Sequence, residues 1–353
     1  MVSCLRKVIC VSIIISYQFS FFNLASAQEI RVAAGGGYMM PNNMQYSSFS
    51  SPIYGLGAAV LWRAEGGSYW EQFWNHPSFG LKALYTRVPN SVAGDWFGVE
   101  GLMVNPFGSR WEWQLGLGLS CYTRPFQFTG DSNNVFIGSM LNCLIDLGVG
   151  YRFGDRTRLS LRLLHTSNGM LMRPNMGLNY LQADLEFGFP TSPNPEARIP
   201  HSDLSEDPIP PSEEWSIALS GGAAMSRDSL TEGYFPCYDL TFYYQRYVSP
   251  VVAFGGAVDL WYNGSHRPLV GRDESDYRLP LYLSGMATAE IFWGALSIKG
   301  GVGLVVAASN QVAIPVYERL GAYYNFGRNY LGVALNAHSG RIEFIEWTYG
   351  RRF

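Results

Sequence analysis

The chain has 353 residues, a formal net charge of −3 at pH 7 and 47% hydrophobic residues. This charge gives no argument for a surface that binds nucleic acid, and the three cysteines after residue 27 exclude a disulfide-dense scaffold or a multi-cysteine zinc site. The length suffices for one large domain or two smaller ones.

Residues 1–27 have the pattern of a secretory signal peptide. A charged start precedes a long apolar run, and the small residues 25–27 fit a cleavage site. A retained membrane anchor is the alternative. Of the cysteines that would remain, Cys121 and Cys143 flank a predicted hairpin loop, where they could form a disulfide. The simpler interpretation, which we prefer, is two small apolar strand residues.

After residue 27 no apolar run reaches the length of a membrane-spanning helix, so such helices are not expected. Many segments of about ten residues instead alternate between apolar and polar or small residues, as in LQADLEFGF at 181–189. Aromatic residues, 15% of the chain, cluster near the ends of these segments, as interfacial girdles would. The pattern predicts an all-β, antiparallel transmembrane β-barrel. A soluble β-protein is the alternative.

The alternation predicts sixteen strands in two groups of eight. The first group covers residues 28–40, 52–64, 78–88, 95–107, 110–123, 138–153, 157–168 and 177–189. Residues 191–214, rich in proline and acidic residues, are predicted to be an extended linker. The second group covers residues 215–226, 236–248, 251–263, 280–293, 295–308, 313–326, 329–339 and 342–353.

The two groups look like copies, which divides the chain into repeats at 28–190 and 215–353. LGVGYRFG at 147–154 matches LGAYYNFG at 320–327, and each leads into an apolar strand that bears a histidine. Sixteen strands can close as one wide barrel or as two tandem eight-stranded barrels. The linker length favours two barrels, but tandem barrels are rare, and we expect one wide barrel.

One strand face carries an unexpected pair of polar residues. Leu161 and Leu163 lie on the apolar face of the seventh strand, and His165 and Ser167 continue that face near the outer rim. Residues two apart on a strand are separated by about 6.6 Å, so an imidazole and a hydroxyl can meet there. A histidine beside a serine is the minimal unit for nucleophilic acyl transfer. A histidine in the lipid headgroup zone is the alternative.

The residues around this pair resemble a known family. LLHTSNG at 163–169, followed by RPNMGLNYLQADLEFGF at 173–189, resembles the PagL-type outer-membrane lipid A 3-O-deacylases, a family related to acyloxyacyl hydrolases. The resemblance implies an eight-stranded barrel with a Ser-His-Glu triad on its outer surface. It also implies that His165 is the general base and Ser167 the nucleophile, with Asn168 and the backbone N–H groups around Gly169 stabilising the oxyanion.

The family's acid should lie fourteen residues after the histidine, where this chain has Asn179. Asn179 shares the phase of Leu181 and therefore the face of His165. Its amide oxygen can hold an imidazole tautomer, but it adds no charge to stabilise an imidazolium. The third catalytic position therefore departs from the family pattern.

The second repeat is predicted to lack a catalytic base. Its apolar series continues through Ala337 and Ser339, which align with His165 and Ser167. His338 then points into the barrel, toward Glu346. No motif for a cofactor or a metal ion is present, and none is predicted.

Two functions follow from these observations. The first is an outer-membrane esterase that removes an ester-linked acyl chain from lipid A in the outer leaflet. The second is a non-catalytic barrel, a pore or a structural protein, on the same scaffold. The final Phe353 is the usual last residue of bacterial outer-membrane barrels, so the outer-membrane assembly machinery is an expected partner.

Overall fold

A computed structural model describes residues 28–41, 44–89, 92–126, 134–191, 212–225, 233–266, 279–309, 315–338 and 341–353. The predicted signal peptide, most of the predicted linker and Ser339 lie outside the described residues.

Within this part, the chain forms sixteen strands and a short α-helix, α1 (Tyr69–Phe73). The strands of the first repeat are β1 (Glu29–Pro41), β2 (Ser51–Arg63), β3 (Ser78–Arg87), β4 (Trp96–Phe107), β5 (Trp111–Tyr122), β6 (Leu141–Arg152), β7 (Thr157–Ser167) and β8 (Leu178–Pro190). Those of the second are β9 (Glu213–Met225), β10 (Tyr234–Ser249), β11 (Val252–Asn263), β12 (Leu281–Trp293), β13 (Leu296–Ala308), β14 (Val316–Phe326), β15 (Asn329–His338) and β16 (Arg341–Arg352). Each predicted strand overlaps an observed one, and no boundary differs by more than three residues.

The strands close as two barrels, so the expectation of one wide barrel is wrong. β1 pairs antiparallel with β8 without interruption, from Glu29 opposite Pro190 to Pro41 opposite Leu178. β9 pairs antiparallel with β16 from Ser216 opposite Arg352 to Ala223 opposite Ile345. The first and last strands of each repeat therefore satisfy each other's backbone N–H and C=O groups, and no edge remains to join the repeats into one sheet.

The alternation of side chains follows the predicted register. On β7, Leu161 and Leu163 are 55% and 45% exposed on the outer face, whereas Ser160 and Arg162 are 2% and 1% exposed inside the barrel. No helix among the described residues is long and apolar enough to cross a membrane. A closed barrel with an apolar outer face and a polar interior is the architecture that spans a bilayer with strands.

The connections orient the barrels in the membrane. In the second barrel, the hairpin turns at one end have only two residues each, at 250–251, 294–295 and 327–328. At the other end of the barrels, the connections include the longer segments 123–140 and 168–177. Outer-membrane barrels have short periplasmic turns and long extracellular loops, so β7 ends at the extracellular side.

Paired charges occupy both barrel interiors. In the first barrel, the buried Arg162 binds Asp146 and lies 2.9 Å from Asp184, measured from Nη1 to Oδ2. In the second barrel, Arg319 lies 2.8 Å from Glu346 (Nη2 to Oε1) and also binds Asp259. Each guanidinium therefore has more than one carboxylate partner inside its barrel. These side chains take up the space of an aqueous channel.

His338 faces the interior of the second barrel, as expected, but its partner is not the predicted Glu346. Its Nδ1 lies 3.4 Å from Oε1 of Glu343. A register shift between Asn336 and Ala337 in the β15–β16 pairing displaces the outer end of β16 relative to a regular ladder. Glu343 rather than Glu346 therefore meets the histidine.

The cysteines of the first barrel lie on neighbouring strands. Cys121 of β5 is opposite Leu141 of β6, and Cys143 of β6 is opposite Leu119 of β5. No disulfide joins the cysteines in the described residues. Both cysteines lie within strands, as the preferred interpretation expects.

The two barrels contact each other at both ends. At the periplasmic end, Trp74, just after α1, stacks on Trp293 with ring centroids 5.3 Å apart, and its Nε1 donates to the carbonyl of Phe292 at 2.9 Å. At the extracellular end, the backbone N–H of Met225 donates to the carbonyl of Met170 at 3.0 Å. The second of these contacts lies next to the residues that the sequence analysis selects.

Candidate active site on the outer face of the first barrel

The candidate site lies at the extracellular ends of β7 and β8. His165 of β7 is directly opposite Asn179 of β8 in the antiparallel register. The next residues along the two strands, Thr166 and Tyr180, point into the barrel and are fully buried. Among these, Thr166 hydrogen bonds to the hydroxyl of Tyr122, which lies 2.7 Å from the hydroxyl of Tyr180. This interior contact fixes the strand ends that present His165 and Asn179 on the outer face.

The structure brings His165 and Asn179 together. Nδ1 of His165 lies 2.8 Å from Oδ1 of Asn179. An amide oxygen only accepts hydrogen bonds, so Nδ1 carries the proton and Nε2 keeps its lone pair. This is the tautomer that a general base needs if it accepts a proton at Nε2.

Ser167 lies on the same outer face as His165, two residues further along β7. It is 4% exposed, and it is opposite Cys143 of β6. No hydrogen bond between Ser167 and His165 is present among the described residues. The strand spacing of about 6.6 Å places the two side chains within reach of each other after rotation about their side-chain bonds.

Asn168 organises the loop that follows β7, residues 168–177. Its backbone N–H donates to Oδ1 of Asn175 at 3.0 Å, and its Nδ2 donates to the carbonyl of Met172 at 2.8 Å. Because an amide nitrogen carries two hydrogens, one Nδ2 hydrogen remains available after the bond to Met172.

The loop begins with a tight turn in which the N–H of Leu171 donates to the carbonyl of Asn168 at 3.2 Å. Both central residues have positive φ, 62° for Gly169 and 66° for Met170. The positive φ favours glycine at position 169, and a Cβ there would also lie 2.2 Å from Cδ1 of Ile345. Gly169 is buried, and within the described residues its N–H donates to no other group.

Three further residues at the site were missed by the sequence analysis. Asn175 belongs to the Pro-Asn pair of the quoted motif, so a signal for it was present. Ile345 and Met225 belong to the second barrel and are far away along the chain. No local pattern could have linked them to Gly169 and Met170, because the contact depends on how the barrels pack.

The fold and the candidate site together define the class of protein to which the chain belongs. The chain is an outer-membrane β-barrel protein that carries a serine and a histidine on its outer face. Residues 54–187 match the model of the lipid A 3-O-deacylase (PagL) family, and residues 213–353 match that of the acyloxyacyl hydrolase C-terminal domain. The chain therefore belongs to the PagL family, a family of hydrolases of the bacterial outer membrane.

The solved structures similar to this chain include two outer membrane proteins and a porin. The crystal structure of the outer membrane enzyme PagL is 21% identical, covers 46% of this chain and 99% of its own, and has a TM-score of 0.33. A mutant of the Rh. blastica porin is 9% identical, with coverage of 92% and 99% and a TM-score of 0.21. The protein opdK from Pseudomonas aeruginosa is 10% identical, with coverage of 94% and 100% and a TM-score of 0.26. No curated protein sequence matches the chain.

Proposed function

We propose that this protein is an esterase that removes an ester-linked acyl chain from lipid A in the outer leaflet of the outer membrane. The observation that carries the proposal is the hydrogen bond of 2.8 Å between His165 Nδ1 and Asn179 Oδ1, on the outer face of the barrel and beside Ser167. A site on this face suits a substrate that never leaves the bilayer. The membership in the PagL family supports the same substrate class.

In the proposed reaction, Ser167 is the nucleophile and His165 the general base. Oγ of Ser167 attacks the ester carbonyl carbon while Nε2 of His165 takes the hydroxyl proton. When the tetrahedral intermediate collapses, the C–O bond to the sugar breaks and His165 returns the proton to the leaving alkoxide. Water activated by His165 then hydrolyses the acyl-serine, and the fatty acid leaves.

The turn after β7 supplies donors for the developing oxyanion. One donor is the N–H of Gly169, which bonds to no other group in the described residues. The other is the second Nδ2 hydrogen of the adjacent Asn168. Asn168 also fixes the loop through its bonds to Met172 and Asn175. Fixed donors of this kind stabilise the transition state because they require no reorganisation during the reaction.

A non-catalytic barrel is the second candidate, and two observations favour it. The third catalytic position holds the amide of Asn179 rather than a carboxylate, and Ser167 is only 4% exposed without a hydrogen bond to His165. A structural protein fits these observations better than a pore does. The buried ion pairs of Arg162 and Arg319 occupy the interior space that a pore would need.

The test of this function is release of fatty acid from lipid A. Purified protein in mixed micelles of lipid A and detergent should release fatty acid, detected by mass spectrometry, and Ser167→Ala should release none. Ser160→Ala, which changes an inward-facing serine of the same strand, is the control for barrel integrity. Full activity of Ser167→Ala, or no release by the wild-type protein, would refute the esterase function.

Delivery to the outer membrane belongs to the same proposal. The side chain of Phe353 is 68% exposed, and its backbone N–H donates to the carbonyl of Trp215 at 2.8 Å. An exposed terminal aromatic of this kind is available to the outer-membrane assembly machinery. Phe353→Ala should lower the amount of heat-modifiable barrel in outer-membrane fractions, and an unchanged amount would argue against this role.

A further inference from the structure

We propose that the second barrel is a positioning element for the active site of the first: Ile345 and the backbone N–H of Met225 hold the turn at Gly169 and Met170 in its working position. This inference rests on the proposed esterase function, because the turn carries the donors for the oxyanion.

The first observation concerns the backbone of Met170. Its φ of 66° lies in the left-handed region, which residues other than glycine, asparagine and aspartate seldom adopt. Such a conformation persists only where the surroundings hold it in place. The carbonyl of Met170 accepts a hydrogen bond of 3.0 Å from the N–H of Met225, the last residue of β9. The second barrel thus binds the backbone at the point of unfavourable conformation.

The second observation concerns Ile345 on the outer face of β16. Its Cδ1 lies so close to Gly169 that a Cβ at that glycine would be 2.2 Å away. Trp347, two residues further on the same face, is 73% exposed, whereas Ile345 is half-buried. The first barrel therefore covers Ile345 specifically, and the isoleucine packs against the turn.

The third observation is that the two barrels are also joined at the opposite end. The stack of Trp74 on Trp293 and the bond from Trp74 to Phe292 fix the periplasmic ends of the barrels against each other. Contacts at both ends limit rocking of one barrel against the other. The extracellular contact of the second barrel with Met170 and Gly169 is therefore persistent.

Movement of the turn would displace the Gly169 N–H from the oxyanion. A misplacement of about 1 Å at a reacting centre costs on the order of 100-fold in rate. The oxyanion exists in the transition state and not in the bound ester, so loss of support should lower kcat with little change in KM. A merely structural role would instead reduce the amount of folded protein and leave both constants unchanged.

The experiment uses the full-length protein and two matched pairs of variants. Ile345→Ala should lower kcat by roughly 10- to 100-fold with KM nearly constant, while Trp347→Ala on the same face leaves kcat unchanged. Met225→Pro removes the N–H that binds Met170, whereas Met225→Ala keeps it, so the proline variant should have the lower kcat. Heat-modifiable migration on gels verifies that each variant is a folded barrel.

A second measurement does not depend on activity. Met170→Cys is introduced into a variant that lacks the native cysteines, and its alkylation by a water-soluble maleimide is timed. The alkylation rate should rise when Ile345→Ala is added. It should not change when Trp347→Ala is added. Equal alkylation rates in the two variants would overturn the inference, as would equal kcat values. If the rates differ while the wild-type protein releases no fatty acid, the second barrel does hold the turn and the esterase function is what fails.

Discussion

Asn179 provides the sharpest test of the proposed chemistry. Asn179→Ala removes the acceptor that lies 2.8 Å from Nδ1 of His165. A neutral hydrogen bond contributes about 0.5–1.5 kcal/mol, which corresponds to roughly 2- to 10-fold in rate if the bond only orients the ring. Loss of the correct tautomer adds to this, and in a serine-protease triad the change of Asp to Asn costs about 10⁴-fold. We therefore expect kcat of Asn179→Ala to fall by roughly 10- to 10⁴-fold.

The opposite change, Asn179→Asp, keeps the length of the side chain and adds the charge that the family's acid supplies. Two unit charges 4 Å apart interact by about 4 kcal/mol at an effective dielectric constant of 20. Desolvation of the carboxylate opposes this gain. If about half of the gain remains, the imidazolium formed during the reaction is stabilised by roughly 2 kcal/mol, and kcat rises by roughly 30-fold.

The assay is the initial rate of fatty acid release from lipid A micelles for the wild-type protein, Asn179→Ala and Asn179→Asp. Leu181→Ala, two residues further on the outer face of β8, is the control for changes in lipid contact. If Asn179→Ala keeps the wild-type kcat while Ser167→Ala has none, the amide does not orient the imidazole. The reasoning from the bond between His165 and Asn179 would then be wrong.

Four further predictions follow from the structure. His165→Ala and Ser167→Ala should each abolish fatty acid release, and the double variant should be no worse than either, because residues that act as a unit are non-additive. A cysteine at Leu161 should react with a lipid-soluble maleimide and one at Ser160 should not; the reverse pattern would mean a slipped register. Each barrel expressed alone should give a heat-modifiable monomer, and failure of both to fold would contradict independent closure. Arg162→Leu removes the cation that binds Asp184 and leaves Asp146 with only the more distant Lys82. It should destabilise the first barrel by about 3–5 kcal/mol, measured as a lower midpoint of thermal unfolding on gels; an unchanged midpoint would mean that the pairing is dispensable.

The strands could be predicted from the sequence because their signal is local. An apolar residue at every second position is visible within any segment of about ten residues, and on β7 it placed Leu161 outward and Arg162 inward in agreement with the structure. The shared face of His165 and Asn179 follows from the same periodicity. Their hydrogen bond adds what periodicity cannot supply, the register that puts them directly opposite each other.

Closure could not be predicted because it depends on which strand edges meet. β1 has the same alternation whether it pairs with β8 or with β16, so the pattern is equally compatible with one barrel or two. The length of the linker was the one clue to the correct answer, and the rarity of tandem barrels outweighed it. The contact of Ile345 with Gly169 was beyond prediction for a related reason, since both residues are ordinary members of their own segments.

Because both barrels belong to one polypeptide, the contact between them should not depend on how much of the protein the membrane contains. β8 ends at Pro190 and β9 begins at Glu213, so the residues between them tether the two barrels to each other. Tethering gives a local concentration in the millimolar range, whereas separate chains would have to meet by lateral diffusion. The stack of Trp74 on Trp293 is therefore a unimolecular equilibrium. The fraction of molecules in which the two barrels are in contact should be the same at low and at high copy number of the protein.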